Sequence, residues 1–105
     1  MIKLIRNENE FNNEITQAGK KLVVVDFTAK WCRPCQAIAP LFEDLSRKNT
    51  DVVFLKVDVD ENTETPNKYG VNSMPTFKFI KNKAVIHTFC GANPNMLTEN
   101  VVRLK

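Results

Sequence analysis

The chain has 105 residues, of which 43% are hydrophobic, so it can bury one core and we expect a single domain over residues 1–105. A net charge of +3 is too small to predict a nucleic-acid-binding protein. No run approaches the roughly 20 apolar residues that span a bilayer, and the charges within residues 1–10 exclude the apolar core of a secretory signal. We therefore expect a soluble, cytoplasmic protein that binds neither nucleic acid nor membrane.

The first half of the chain alternates predicted strands and helices. A short strand over 1–5 precedes a helix over 9–19, and the apolar run 22–27 is rich in β-branched residues. A strand that is apolar on both faces belongs in the middle of a sheet covered on both sides. A helix over 34–48 follows, and Pro40 should kink it.

The second half continues the alternation and then ends differently. The run 52–59 predicts a second central strand, and 62–69 predicts a short helix. Two strands over 76–81 and 84–90 form a predicted hairpin, and Asn93 opens a last helix. The order βαβαβαββα predicts an α/β fold with a central mixed sheet flanked by helices on both faces.

Two cysteines, Cys32 and Cys35, follow the first central strand and open the long helix. α/β proteins place their chemistry at this edge of the sheet. A helix N-terminus stabilises a thiolate, and Pro34 suits the first turn. We expect a reversible disulfide, with Cys32 as the attacking thiol and Cys35, one turn further in and more buried, as the resolving thiol.

A second interpretation of the cysteine pair is half of a zinc site, which His87 and Cys90 could complete. No second C-x-x-C exists, so we expect no metal. Cys90 has two interpretations of its own. It is either a small, half-buried thiol that fills space or a regulatory thiol that forms a disulfide or an adduct under oxidation.

Asp26 interrupts an apolar strand. Burial of a carboxylate is costly, so the pKa of Asp26 should rise, and the group could then accept the proton of Cys35. The alternative is an ordinary strand-end aspartate that hydrogen bonds satisfy.

The chain resembles the thioredoxin family from its first strand to its last helix. The segments that carry the resemblance are VVVDF at 23–27, WCRPC at 31–35, Pro40, KVDVD at 56–60, MPTF at 74–77 and GA at 91–92. It implies the thioredoxin fold and a monomeric protein-disulfide reductase with no bound cofactor. Thioredoxin reductase would recharge this protein with electrons from NADPH, and disulfide-containing proteins would be its substrates.

The resemblance also implies residue roles. Lys56 would be the partner of the Asp26 carboxylate, and Pro75 would be a cis proline that faces the cysteines. Asp58 and Asp60 match family positions near the tryptophan, although alone they read as a solvated pair. The shallow groove for an extended substrate segment would be lined by Trp31, Met74, Pro75, Gly91 and Ala92.

Arg33 departs from the glycine that most of the family has between the cysteines. With Pro34 it should modulate the redox potential, because a guanidinium beside Cys32 favours the thiolate and so the reduced form. We expect a slightly more oxidising protein than an Arg33→Gly variant; a neutral surface substitution is the alternative.

Two functions from different classes stay open. The chain is either a dithiol–disulfide oxidoreductase or a redox-switched binding module that holds a partner through a groove at Trp31 and Pro75. We favour the enzyme, since a pure binder would need no proton-handling residue such as Asp26.

Overall fold

A computed structural model describes residues 1–105. Its elements in chain order are β1 (Ile2–Leu4), α1 (Glu8–Ala18), β2 (Val23–Thr28), α2 (Arg33–Lys48), β3 (Val53–Asp58), α3 (Glu64–Lys68), β4 (Thr76–Lys81), β5 (Ala84–Cys90) and α4 (Pro94–Leu104). This order confirms the predicted βαβαβαββα arrangement. No helix combines the length and the apolar composition that a membrane crossing requires.

One sheet contains all the strands, in the order β1-β3-β2-β4-β5. Strands β1 and β2 run parallel to β3, whereas β4 is antiparallel to β2 and β5 to β4. The predicted mixed sheet is therefore confirmed, with β2 at its centre. In this register Asp26 of β2 lies opposite Lys56 on one side and Phe77 on the other.

The central strand is covered on both faces, as its apolar sequence predicts. Val24 faces a core that includes Phe42 of α2 and Leu97 of α4. Val25 points the other way, into a core that includes Phe11 of α1. Because β2 is packed on both faces, its position is fixed, and it therefore fixes the position of the loop that follows.

Local chemistry explains several element ends. The side chain of Asn7 accepts the amide N–H of Glu10 at 2.9 Å and so begins α1. That helix ends at Gly19, whose φ of +60° favours glycine. Asn82 and Lys83 both have positive φ, which is the backbone that suits a two-residue turn between twisted antiparallel strands.

Two helices differ from simple expectation. α2 continues through Pro40 without a break, and the kink stays a prediction. α3 begins at Glu64 rather than at the predicted Asn62. The buried Asn62 side chain accepts the amide N–H of Thr65 at 3.2 Å and donates to the carbonyl of Ile5 at 3.3 Å, so this residue precedes the helix and ties its start to the residue after β1.

Candidate active site

The cysteine pair lies where the loop after β2 enters α2. Cys32 is the N-cap residue of the helix, and it forms a disulfide with Cys35 across a Cα–Cα distance of 5.3 Å. The Cys32 Sγ accepts the amide N–H of Cys35 at 3.2 Å. In the reduced protein this donor and the helix N-terminus would stabilise a Cys32 thiolate. Both residues are buried in the disulfide form, with exposures of 4% for Cys32 and 1% for Cys35.

Backbone and side-chain hydrogen bonds hold this loop. The amide of Cys32 and the side-chain amide of Gln36 both donate to the carbonyl of Ala29 at 3.2 Å. Lys30 forms an ion pair with Glu61 at 3.0 Å. Gln36, Lys30 and Glu61 are not predictable as site residues, because no local sequence pattern shows which long side chains meet across separate loops.

Trp31 directly precedes the disulfide and is 69% exposed. Its indole Nε1 donates to a carboxylate oxygen of Asp60 at 2.9 Å. The buried Asp58 accepts the amide N–H of Asp60 at 2.9 Å and thereby fixes the turn. The interpretation of Asp58 and Asp60 as a solvated pair is wrong for Asp58, which is buried, whereas Asp60 is exposed; together they orient the indole.

The loop before β4 forms the opposite wall of the site. The Met74–Pro75 peptide bond is cis, as expected; that Pro75 faces the cysteines stays a prediction. Met74 packs against the small cluster that contains both cysteines. The carbonyl of Pro75 accepts the amide N–H of Gly91 at 2.9 Å. Ala92 packs against the core beneath α2 and α4, so the two loops form one surface.

A depression of about 420 Å³ opens between Trp31 and Met74. Of the five predicted groove residues, Trp31 and Met74 line it, whereas Pro75, Gly91 and Ala92 do not. Its apolar floor continues toward α3 through Val59, Pro66 and Val71.

Asp26 is buried within β2, with 1% exposure, and its Oδ1 has no hydrogen-bond partner. Burial raises the pKa of Asp26 to about 7, although the charge of Lys56 opposes part of the rise. The predicted rise in pKa is confirmed, and the alternative of an aspartate fully satisfied by hydrogen bonds is wrong. A cavity of about 260 Å³ that Cys35 and Lys56 both line is large enough for water.

Cys90 is a free, exposed thiol, so the expectation of a half-buried space-filler is wrong. Its Sγ lies 3.3 Å from the Thr76 hydroxyl. Hydrogen bonding from Ser73, then from Thr76, lowers the pKa of Cys90 from its usual 9.0, and the charge of Lys78 adds to the effect.

The four residues of the zinc interpretation do not come together. No group of three or more His, Cys, Asp or Glu side chains is arranged to hold a metal ion. His87 instead packs against the rings of Phe79 and Phe89, on the strand that ends at Cys90. The geometry leaves the Cys32–Cys35 pair as a redox pair.

A dithiol that closes a disulfide at a helix N-terminus can exchange that bond with another disulfide, because one sulfur is activated and the other lies within bonding reach. This fold and this site define a thiol–disulfide oxidoreductase.

Comparison with known proteins gives the family. The family model described as Thioredoxin matches residues 2–103. A thioredoxin of Ophiophagus hannah is 44% identical over 101 residues, which is 96% of each chain. The X-ray structure of Fasciola hepatica thioredoxin has a TM-score of 0.96 at 42% identity and covers 98% of this chain and 99% of its own. A structure on thiol resolution in yeast mitochondrial 1-Cys peroxiredoxin has a TM-score of 0.89 at 35% identity, with 97% and 94% coverage.

The chain belongs to the thioredoxin family. It is an enzyme that reduces protein disulfides through its Cys32–Cys35 pair, and the redox-switched binding module is not favoured.

Proposed function

We propose that the protein works in the cytoplasm as a monomeric, single-domain reductant of protein disulfides, and that thioredoxin reductase recharges it with electrons from NADPH. The observation that carries the proposal is the Cys32–Cys35 disulfide at the start of α2, which is the oxidised product of such a reaction. The yeast structure, whose title concerns a 1-Cys peroxiredoxin and the thioredoxin system, supports peroxiredoxins as one class of substrate.

In the first step the Cys32 thiolate attacks one sulfur of the substrate disulfide. A mixed disulfide forms, the substrate S–S bond breaks, and one substrate sulfur leaves as a thiolate. The amide N–H of Cys35, directed at the Cys32 Sγ, supports Cys32 as the attacking residue. Pro34, within the first turn of α2, keeps that turn in helical geometry.

In the second step the Cys35 sulfur attacks the Cys32 Sγ. The internal disulfide forms, the second substrate thiolate leaves, and the dithiol has given up two electrons. Asp26 takes the proton of Cys35, because a carboxyl whose pKa is about 7 can accept and release a proton at neutral pH. Lys56 limits the rise of that pKa and lines the cavity of about 260 Å³ beside Cys35.

The substrate lies across the surface between the two loops. Trp31 offers an exposed indole that Asp60 holds in place, and the neighbouring depression accepts an apolar side chain. An extended segment would meet Trp31, Met74, Pro75, Gly91 and Ala92.

Reduction of insulin tests the proposal. The purified protein is assayed with thioredoxin reductase and NADPH, with each component omitted in turn. We expect NADPH oxidation only in the complete mixture, complete loss with Cys32→Ser, and wild-type rates with Cys90→Ser, which removes a thiol outside the pair. Insulin reduction that survives Cys32→Ser would contradict the mechanism.

A further inference from the structure

Arg33 carries an uncompensated charge beside the reactive sulfur. It is the first residue of α2, it is exposed, and its guanidinium takes part in none of the ion pairs of the structure. The first turn of the helix contains no acidic residue. Among the neighbouring charges, Lys30 is paired with Glu61, whereas Asp60 keeps its negative charge while it accepts the indole N–H of Trp31.

The opposite wall of the site adds no negative charge. No aspartate or glutamate occurs between Glu64 and Glu99, a stretch that includes the Met74–Pro75 and Gly91–Ala92 loops. Asp26 is buried within β2 and does not reach the surface. A substrate segment on these loops would therefore meet the Arg33 guanidinium and the positive end of α2. The exposed carboxylates of the site lie on the loop after β3, where Asp60 holds the indole of Trp31 and Glu61 is paired with Lys30.

We infer that the protein prefers disulfides whose cysteines are flanked by acidic residues, and that Arg33 recognises them. The inference rests on the proposed function and names the substrate class of that same site. Acidic side chains one to three positions from the cysteine would come within a Debye length of Arg33, whereas basic ones would be repelled. An exposed ion pair between Arg33 and a substrate carboxylate should change the rate of disulfide exchange by about two- to fivefold.

Matched peptide disulfides test the inference. Homodisulfides of one short peptide are made with Glu, Gln or Lys on both sides of a single cysteine. Carboxylates near a thiol slow exchange with any reductant, so each rate is divided by the rate with dithiothreitol. The Glu-to-Lys ratio is the normalised rate with the Glu peptide divided by that with the Lys peptide. Any effect that a substitution has on the nucleophile itself is the same for both peptides and drops out of this ratio. The variants are Arg33→Gln, Arg33→Lys and Arg33→Glu, and the matched control is Lys20→Gln, which loses the same charge from the exposed turn after α1.

We expect a Glu-to-Lys ratio of about 3 or more for the wild type and for Lys20→Gln at low salt. The ratio should fall to about 1 in Arg33→Gln, stay above 1 in Arg33→Lys, invert in Arg33→Glu, and shrink at 0.5 M salt. An equal ratio in the wild type and Arg33→Gln would overturn the inference while leaving the reductase intact. If the reduced protein does not reduce even the Gln peptide, the proposed function fails and this inference with it.

Discussion

Replacement of Asp26 by asparagine should stabilise the protein at neutral and alkaline pH. The carboxyl is buried, with no partner for its Oδ1, and its pKa is raised from 3.8 to about 7. A rise of about 3 pKa units corresponds to about 4 kcal/mol of differential free energy between the protonation states. Local relaxation and imperfect bonding of the new amide reduce the gain, so we expect about 2–4 kcal/mol at pH 8.

The pH dependence of the free energy of unfolding shows whether ionisation of Asp26 causes this difference in stability. Below pH 3.8 the carboxyl is protonated in both the folded and the unfolded protein, so it costs nothing. Between pH 3.8 and about 7 the unfolded chain ionises while the folded one keeps its proton, and stability is lost as the pH rises. Above pH 7 both states are ionised and the cost is constant. The advantage of Asp26→Asn should therefore appear across this window and reach a plateau above it.

Urea unfolding of the oxidised protein at pH 4, 6 and 8 measures this advantage. In thermal unfolding at pH 8, the melting temperature of Asp26→Asn should be higher than that of the wild type by about 10 °C or more. Asp51→Asn is the control, because Asp51 is exposed and should show little change at any pH. The same advantage for Asp26→Asn at pH 4 and pH 8 would refute the reasoning, since ionisation could not then be its origin.

Further predictions concern the same site. Asp26→Asn should slow insulin reduction about tenfold or more at pH 7, and single-turnover rates should lose their inflection near pH 7. The redox potential of Arg33→Gly, measured against glutathione, should be more reducing than that of the wild type by no more than about 30 mV. That potential corresponds to a tenfold change in the equilibrium between dithiol and disulfide. The oxidised protein should react with one equivalent of a thiol reagent, at Cys90, and Thr76→Val should raise the pH at which labelling is half-maximal. Asp60→Ala should raise KM for insulin about two- to fivefold with little change in kcat, since it frees the Trp31 indole.

The sequence predicts the fold well because its strong patterns are local. The hairpin strands β4 and β5 have their predicted ends, since Asn82 and Lys83 between them accept positive φ. The short α3 is less predictable. Its start depends on Asn62, whose side chain bonds to Ile5, and no window around residue 62 contains that partner.

The site also contains some residues that a local sequence pattern predicts and others that it does not. The cysteine pair and its helix are visible in six consecutive residues, and the buried strand around Asp26 makes its raised pKa predictable. The turn around Asp58 is not predictable, because a local pattern of acidic residues is the same whether solvent or an indole lies opposite. Trp31 and Asp60 meet only because two loops leave neighbouring parallel strands at the same edge of the sheet.

The stability cost and the proposed chemistry of Asp26 have one physical cause. With a pKa near 3.8 the carboxyl would hold almost no proton at neutral pH, and it would be a weak acceptor for a thiol. Burial in the centre of the sheet moves the pKa to about 7, where both protonation states are populated. Burial alone would carry the pKa still higher, and the opposing charge of Lys56 limits the rise. An apolar residue at position 26 would make a more stable core, but it would remove the proton acceptor that we propose for Cys35.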